Sequence, residues 1–193
     1  VELMNVGVNY MREHMPDSAR IHYAYMDVGG NAANVVQAKT TIRHLIRASN
    51  LKELRGLVDR VYKIADGAAL MTETKVEKNV YNGVSNLLGN KTLEQVMQSQ
   101  FEKLGPVIFD ESDKVFATQI RSTLTEADIL DSFQRIGIEA PLDMPLCDFV
   151  APLESIGNSG IGSTDMGDVS WVVPTVQARI ATCAVGTPFH TWQ

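Results

Sequence analysis

Met4, Val8, Met11 and Met15 recur at helical spacing and predict a helix over residues 1–15, closed by Pro16-Asp17-Ser18. The period then changes. Residues 20–26 (Arg-Ile-His-Tyr-Ala-Tyr-Met) are rich in strand formers, and Asp27-Val28-Gly29-Gly30-Asn31 is a strong turn signal. Residues 35–47 read as a second strand. On it Val36, Ala38, Ile42, His44 and Ile46 share one face, and Lys39, Thr41 and Arg43 share the other, so one face is expected covered and one wet. Ser49-Asn50 is placed to cap a helix, with Glu53 at the capping-box position. Leu54, Leu57, Val58, Val61, Ile64, Ala65 and Ala68 form its buried stripe. That helix is expected to end near Gly67 or Met71. Residues 75–84 read as a third strand. The order is α-β-β-α-β, and a strand ahead of residue 1 would complete the split ferredoxin-like sandwich.

The character of the chain changes after Asn86-Leu87-Leu88-Gly89-Asn90, which sets an expected boundary close to Leu88. Thr92 reads as the cap of a helix through Leu104, with Gln95 at the capping-box position and Gly105-Pro106 as the stop. Residues 116–124 read as another helix. Residues 128–148, with Pro141 and Pro145, read as a connection, and 151–167 as loop. Residues 168–173 and 175–181 look strand-like, with Pro174 between them implying an edge or a bulge. The fold class expected from this order is mixed α/β (α+β).

Charge narrows the partners. A net charge of −6 and an isoelectric point near 5.2 oppose nucleic acid and anionic membrane surfaces, both of which need a basic face. No apolar run approaches the roughly 18 residues of a membrane span. Cys147 and Cys183 form neither a disulfide framework nor a C-x-x-C pair, and a reducing cytoplasm is the simplest reading. The first helix lacks a cap residue ahead of it, and the chain stops three residues after His190. Both features lead us to expect a piece of a longer protein.

The candidate chemistry is scattered. Asn34 follows the Gly-Gly turn, where a side-chain amide can serve a substrate carbonyl or carboxylate; an Asx-type turn residue fits as well. Arg47 ends the second strand, where a guanidinium can clamp a carboxylate or simply face solvent. His22 and His44 lie in strands, where a hydrogen-bonded packing role competes with a ligand role. Asp165 and Asp168 sit in a Gly-flanked turn and suit metal ligation, support of a ligating His, or plain turn formation. His190 is the best single candidate for a metal ligand, but one His does not make a zinc site. No G-x-S-x-G elbow, Walker loop or G-x-G-x-x-G is present. The Gly-rich run at 157–162 follows no clear strand and opens no helix, so it does not read as a nucleotide loop.

Four stretches together carry a resemblance. They are Val1-Glu2-Leu3-Met4-Asn5-Val6-Gly7; Arg20-Ile21-His22-Tyr23-Ala24 through Gly29-Gly30 to Ala33-Asn34-Val35-Val36-Gln37; Ser85-Asn86-Leu87-Leu88 with Thr92-Leu93; and Gly162-Ser163-Thr164-Asp165-Met166-Gly167-Asp168-Val169-Ser170-Trp171 with His190-Thr191-Trp192-Gln193. In these the chain resembles the aminoacylase and carboxypeptidase-G group of di-metal amidohydrolases. The resemblance implies a ferredoxin-like lid and dimerisation domain at residues 1–88, lacking its first strand. Residues 89–193 would be a later part of a zinc-peptidase-like α/β catalytic domain. It implies two divalent metal ions, zinc or manganese, in the whole enzyme, with none or a partial complement on this chain. His190 falls on a metal-ligand position, Asp165 in the acidic turn beside the metals, and Asn34 and Arg47 on lid positions that hold substrate; His22 is taken as a further substrate-binding candidate.

Against the family pattern this sequence lacks the early metal-binding segment and the Glu that acts as general base. No catalytic residue is therefore assigned, and the chain is expected to be inactive alone. The implied substrates are N-acyl or N-aroyl amino acids, aminobenzoyl-glutamate among them, in a homodimer or a pair with a second homologous subunit. The competing reading is a non-catalytic dimerisation or interaction module that pairs through its exposed edges.

Overall fold

The computed structural model describes residues 1–134, 137–139, 141–153 and 162–191, and the chain divides into two units, Val1–Asn86 and Leu87–Gln193. The first unit holds helix α1 (Glu2–Met11), continued by a 3₁₀ turn over Arg12–His14, then strands β1 (Arg20–Asp27) and β2 (Thr41–Arg47) and helix α2 (Leu51–Met71). The strands pair antiparallel with Ile21 opposite Ile46, Tyr23 opposite His44 and Tyr25 opposite Ile42. Because opposed residues point to the same face, Ile21, Ile42, His44 and Ile46 face the helices. Val8, Met11, Ala19, Ile21, Leu57 and Val61 form the core there, flanked by Met4, Met15, Ile46, Ala48 and Ile64. The apolar stripe on α2 predicted from spacing is buried at Leu57, Val61 and Ala65. The Asn50 side chain accepts from the Glu53 N–H at 3.0 Å, which satisfies one of the donors that a helix start leaves open.

Two strand expectations are corrected here. β2 begins at Thr41, not at residue 35; residues 31–40 are all exposed and carry only a turn bond, from the Val35 N–H to the Ala32 carbonyl. Residues 75–84 form no strand. They are held by side chains instead: Lys78 bridges to Asp66 at 2.5 Å and lies over the Tyr62 ring, and Arg43 lies 5.0 Å from the centre of the Tyr81 ring. A strand must share its backbone groups with a neighbour. Among the described residues no neighbouring strand pairs with this segment. The observed class is thus helices with a two-stranded antiparallel sheet, an α+β arrangement.

The second unit contains α3 (Lys91–Leu104), α4 (Glu111–Arg121), α5 (Glu126–Gln134) and the short α6 (Met166–Ser170). Here local signals mislead more often. The cap of α3 is Asn90, whose side chain accepts from the Leu93 N–H, and not Thr92. Gly105 stops α3 with φ +79°, as expected of Gly there. α4 starts five residues ahead of the expected position because Asp110 and Asp113 form a reciprocal capping box. Residues 126–134, expected in a connection, form α5, which buries Phe133. Thr125 and Asp128 exchange hydrogen bonds at its start. Residues 168–173 and 175–181 are not strands: α6 and a turn occupy the first stretch, and the second has no ladder partner among the described residues. Of the expected loop at 151–167, residues 154–161 lie outside the described residues, most of the Gly-rich run at 157–162 with them, and α6 takes up positions 166–167. No helix among the described residues is long and apolar enough to cross a membrane.

His44 offers a test of this packing. Its ring lies 5.7 Å from that of Tyr23, and its Nε2 is buried with no hydrogen-bond partner in the structure. Burial, and then the nearby Arg12 charge, hold its pKa below the ordinary 6.5. The unfolded chain therefore binds the proton more tightly than the folded one. Stability contributed by neutral His44 is complete above pH 6.5 and is lost as pH falls from there through the lowered folded value. We expect denaturation midpoints of the wild type to drop between pH 7 and pH 5, and those of His44→Gln to drop less. Equal pH slopes in the two proteins would refute this account.

Candidate functional site

The hairpin determines what the first unit can offer to a ligand. Residues opposite in phase to Ile21 and Ile46 emerge on the face away from the helices: Arg20, His22 and Ala24 on β1, and Arg43, Leu45 and Arg47 on β2. All are exposed except Arg47, which is half-buried. Arg20 stands opposite Arg47 and His22 opposite Leu45, so His22 and Arg47 are diagonal neighbours, about 7–8 Å apart along the backbone. The register therefore brings together two of the three residues predicted to hold substrate. Arg20 donates to the Asp17 and Ala19 carbonyls, which anchors its head at the strand start. The face carries Arg20, Arg43 and Arg47 with the His22 imidazole among them. Parity in the sequence places Arg43 and Arg47 together, but only the pairing with β1 adds Arg20 and His22.

Asn34 is not part of this group. It lies in the exposed connection between the strands, at the opposite end of β2 from Arg47. The strand between them runs six residue steps, about 20 Å. The Gly29-Gly30 turn that leads to Asn34 is as predicted. Gly29 has φ +82°, its N–H donates to Asp27 Oδ1 at 2.8 Å, and a Cβ there would strike the Gln37 side chain and the Lys39 carbonyl at 2.6–2.7 Å.

In the second unit Asp165 precedes α6 and is exposed. Its Oδ1 lies 3.5 Å from Thr164 Oγ1, and its side chain caps no helix N–H. Thr164 Oγ1 instead accepts from the Met166 N–H and from Gln177 Nε2. Asp168 is a first-turn residue of α6 rather than a strand cap. His190 does not lie in a strand. It occupies an exposed turn with φ +67°, a left-handed conformation in which His is over-represented among residues with a side chain. The Thr191 hydroxyl beside it donates to the Pro188 carbonyl. Among the described residues no three His, Cys, Asp or Glu side chains come together as a metal site. His190 and Asp165 thus stand as single donors, and the donors present do not by themselves fit a bound metal ion. Trp192 and Gln193 of the motif lie outside the described residues.

Charge is divided unevenly between the units. Residues 1–86 hold 11 Lys and Arg against 9 Asp and Glu; residues 87–193 hold 6 against 14. The uniform acidity suggested by the total is therefore misleading. The first unit thus carries a formal charge of +2 (11 − 9) and the second of −8 (6 − 14).

No protein-family model matches the chain. A curated relative is a p-aminobenzoyl-glutamate hydrolase subunit of Escherichia coli K12, 40% identical over 203 aligned positions. The alignment takes in 100% of this chain and 42% of the relative, so the chain spans less than half the relative's length. The resemblance carried by the Gly29-Gly30, Asp165 and His190 stretches is thereby made specific: over its whole length the chain is similar to one subunit of a p-aminobenzoyl-glutamate hydrolase.

Proposed function

We propose that the chain takes part in hydrolysis of the amide bond of N-acyl or N-aroyl amino acids of the p-aminobenzoyl-glutamate type, within a metal-dependent amidohydrolase. The observation that carries this reading is the 40% identity to the E. coli hydrolase chain across the entire sequence. Residues 1–88 serve in it as a ferredoxin-like lid, and 89–193 as part of a zinc-peptidase-like catalytic domain. His22 and Arg47, on the face of the hairpin away from the helices, bind the substrate carboxylates, an arrangement supported by their shared face and the cationic first unit. Asn34 binds substrate from a position that suits a site on a neighbouring chain better than one on its own sheet. His190 supplies one ligand to a zinc or manganese pair, with Asp165 supporting; the rest of the ligand set comes from outside the described residues. The partner is a second copy or, as the relative's being named a subunit suggests, a different chain. The cytoplasm is the compartment that suits its cysteine usage.

On this reading the 193 residues alone are inert. Purified chain, incubated with p-aminobenzoyl-glutamate and excess zinc or manganese, is expected to release no p-aminobenzoate, while the complete enzyme releases it and loses that activity on chelation. Hydrolysis by the chain alone would show that it contains its own base and ligands. An inactive complete enzyme would leave the interaction-module reading in its place. One observation favours that second reading: β1 and β2 pair only with each other, so each keeps an unpaired edge among the described strands.

A further inference from the structure

Helices α1 and α2 approach closely at Gly7, where a Cβ would lie 2.6 Å from Ile64 Cγ2. Beside this contact they leave an open groove of about 330 Å³, within the size range of small-molecule sites. No residue of the β1–β2 hairpin lines it. Met11 and Ile64 give it an apolar surface, and the Tyr10 ring flanks that surface. Its remaining side chains are His14, Arg60 and Lys63, and no acidic side chain lines it. Arg60 is held in place, because its Nη1 donates to the His14 carbonyl at 2.8 Å. That bond uses one of the five N–H donors of a guanidinium. Neither Arg60 nor Lys63 forms an ion pair among the described residues, whereas Lys78 of the same unit does. The groove therefore sets two cations without a carboxylate partner beside exposed apolar surface.

We propose that the α1–α2 groove binds a small aryl carboxylate, with its carboxylate on Arg60 and Lys63 and its ring on Met11 and Ile64. A carboxylate matches the planar guanidinium through parallel N–H bonds, and the Lys63 ammonium adds a second charge-assisted contact. A flat ring covers the apolar surface and packs against Tyr10. The two parts of the groove select together. An inorganic anion answers the cations and leaves Met11 and Ile64 uncovered, while a neutral arene covers them and leaves the cations unanswered. p-Aminobenzoate, the acid released in the proposed reaction, belongs to this ligand class. That link rests on the proposed reaction, but the groove does not, and binding is measured without turnover, so the two can fail separately.

The test titrates the isotopically labelled 193-residue chain with benzoate and p-aminobenzoate and follows amide resonances by NMR. Saturable shifts are expected at Gly7, His14, Arg60 and Lys63, with a Kd on the order of 1 mM for so small a ligand. Acetate, which lacks the ring, and benzamide, which lacks the charge, should each bind at least about tenfold more weakly. Arg60→Gln should weaken benzoate about tenfold or more, as loss of a charge-assisted hydrogen bond does. Lys63→Gln, at an exposed position, gives a second reading should Arg60→Gln disturb the fold, and it should weaken benzoate in the same direction. Shifts confined to the hairpin around His22 and Arg47 would overturn the proposal. So would acetate or benzamide binding as well as benzoate, an affinity unchanged in both variants, or no saturable shift at all.

Discussion

Ile21→Ala is expected to remove about 3 kcal/mol from the stability of the first unit, within the ~2–5 kcal/mol range for truncating a buried Ile to Ala. Ile21 is 1% exposed and touches both layers of this unit: it belongs to β1 and packs among Val8 and Met11 of α1 and Leu57 and Val61 of α2. Truncation removes methyl groups from the one place where sheet and helices share a core, and two helices anchored across it cannot collapse into the gap without disturbing the strand pairing. A domain of this size has about 5–15 kcal/mol in all. The loss should lower the melting temperature by roughly 12–24 °C, taking about 4–8 °C per kcal/mol for a small domain. Val36→Ala is the control. Val36 is 93% exposed in the connection between the strands, and its truncation should change stability by less than about 0.5 kcal/mol. Urea titrations followed by far-ultraviolet circular dichroism decide the matter; similar losses for the two variants would mean that Ile21 is not the junction of this core.

Arg47→Ala has the largest expected effect on function. In the complete enzyme of the proposed reaction it should raise KM for p-aminobenzoyl-glutamate about 10- to 100-fold with little change in kcat, since a charge-assisted hydrogen bond contributes about 1.5–3 kcal/mol. A guanidinium meets a carboxylate through two parallel N–H bonds, which an ammonium cannot reproduce, so Arg47→Lys should recover only part of the loss. An N-aroyl amide without a free carboxylate should show no difference between wild type and Arg47→Ala. His22→Ala, one diagonal step away on the same face, should act in the same direction and more weakly. A fall in kcat at unchanged KM would place Arg47 outside carboxylate binding.

The elements that are legible in the sequence are those whose instructions are local. Met4, Val8 and Met11 repeat at helical spacing, Asn50 offers its side chain to the Glu53 N–H, and Gly105 takes a left-handed φ at a helix end. Each is decided within a few residues, so reading neighbours suffices. Even there the choice between adjacent polar residues fails: Asn90 and Thr92 are both competent caps, and the turn geometry selects Asn90. The Asp110–Asp113 box and the Thr125–Asp128 pair carry the same chemistry as a Ser/Thr–Glu box, but they depart from its usual residues, and α4 and α5 are misplaced when they are overlooked.

Strands behave differently. Residues 20–27 and 41–47 form strands because each is the other's ladder partner across a turn that Gly29 permits. Residues 75–84 and 175–181 have comparable strand-forming composition and form none, because nothing pairs with their backbone groups among the described residues. β composition is permissive; the ladder that satisfies N–H and C=O groups is a tertiary fact.

The same division holds for the chemistry. By itself the sequence determined the helix periods, the covered parity of β2, the turn at Gly29-Gly30, and a likeness to an amidohydrolase chain that extends over its whole length. Tertiary structure alone decided that His22 and Arg47 share a face while Asn34 lies in the connection between the strands, and that Leu146 and Ala184 join Ala117 in one apolar cluster. The physical reason is distance along the chain. Spacing of a few residues is governed by backbone geometry and can be read directly, whereas groups tens of residues apart become neighbours only once the intervening chain has packed.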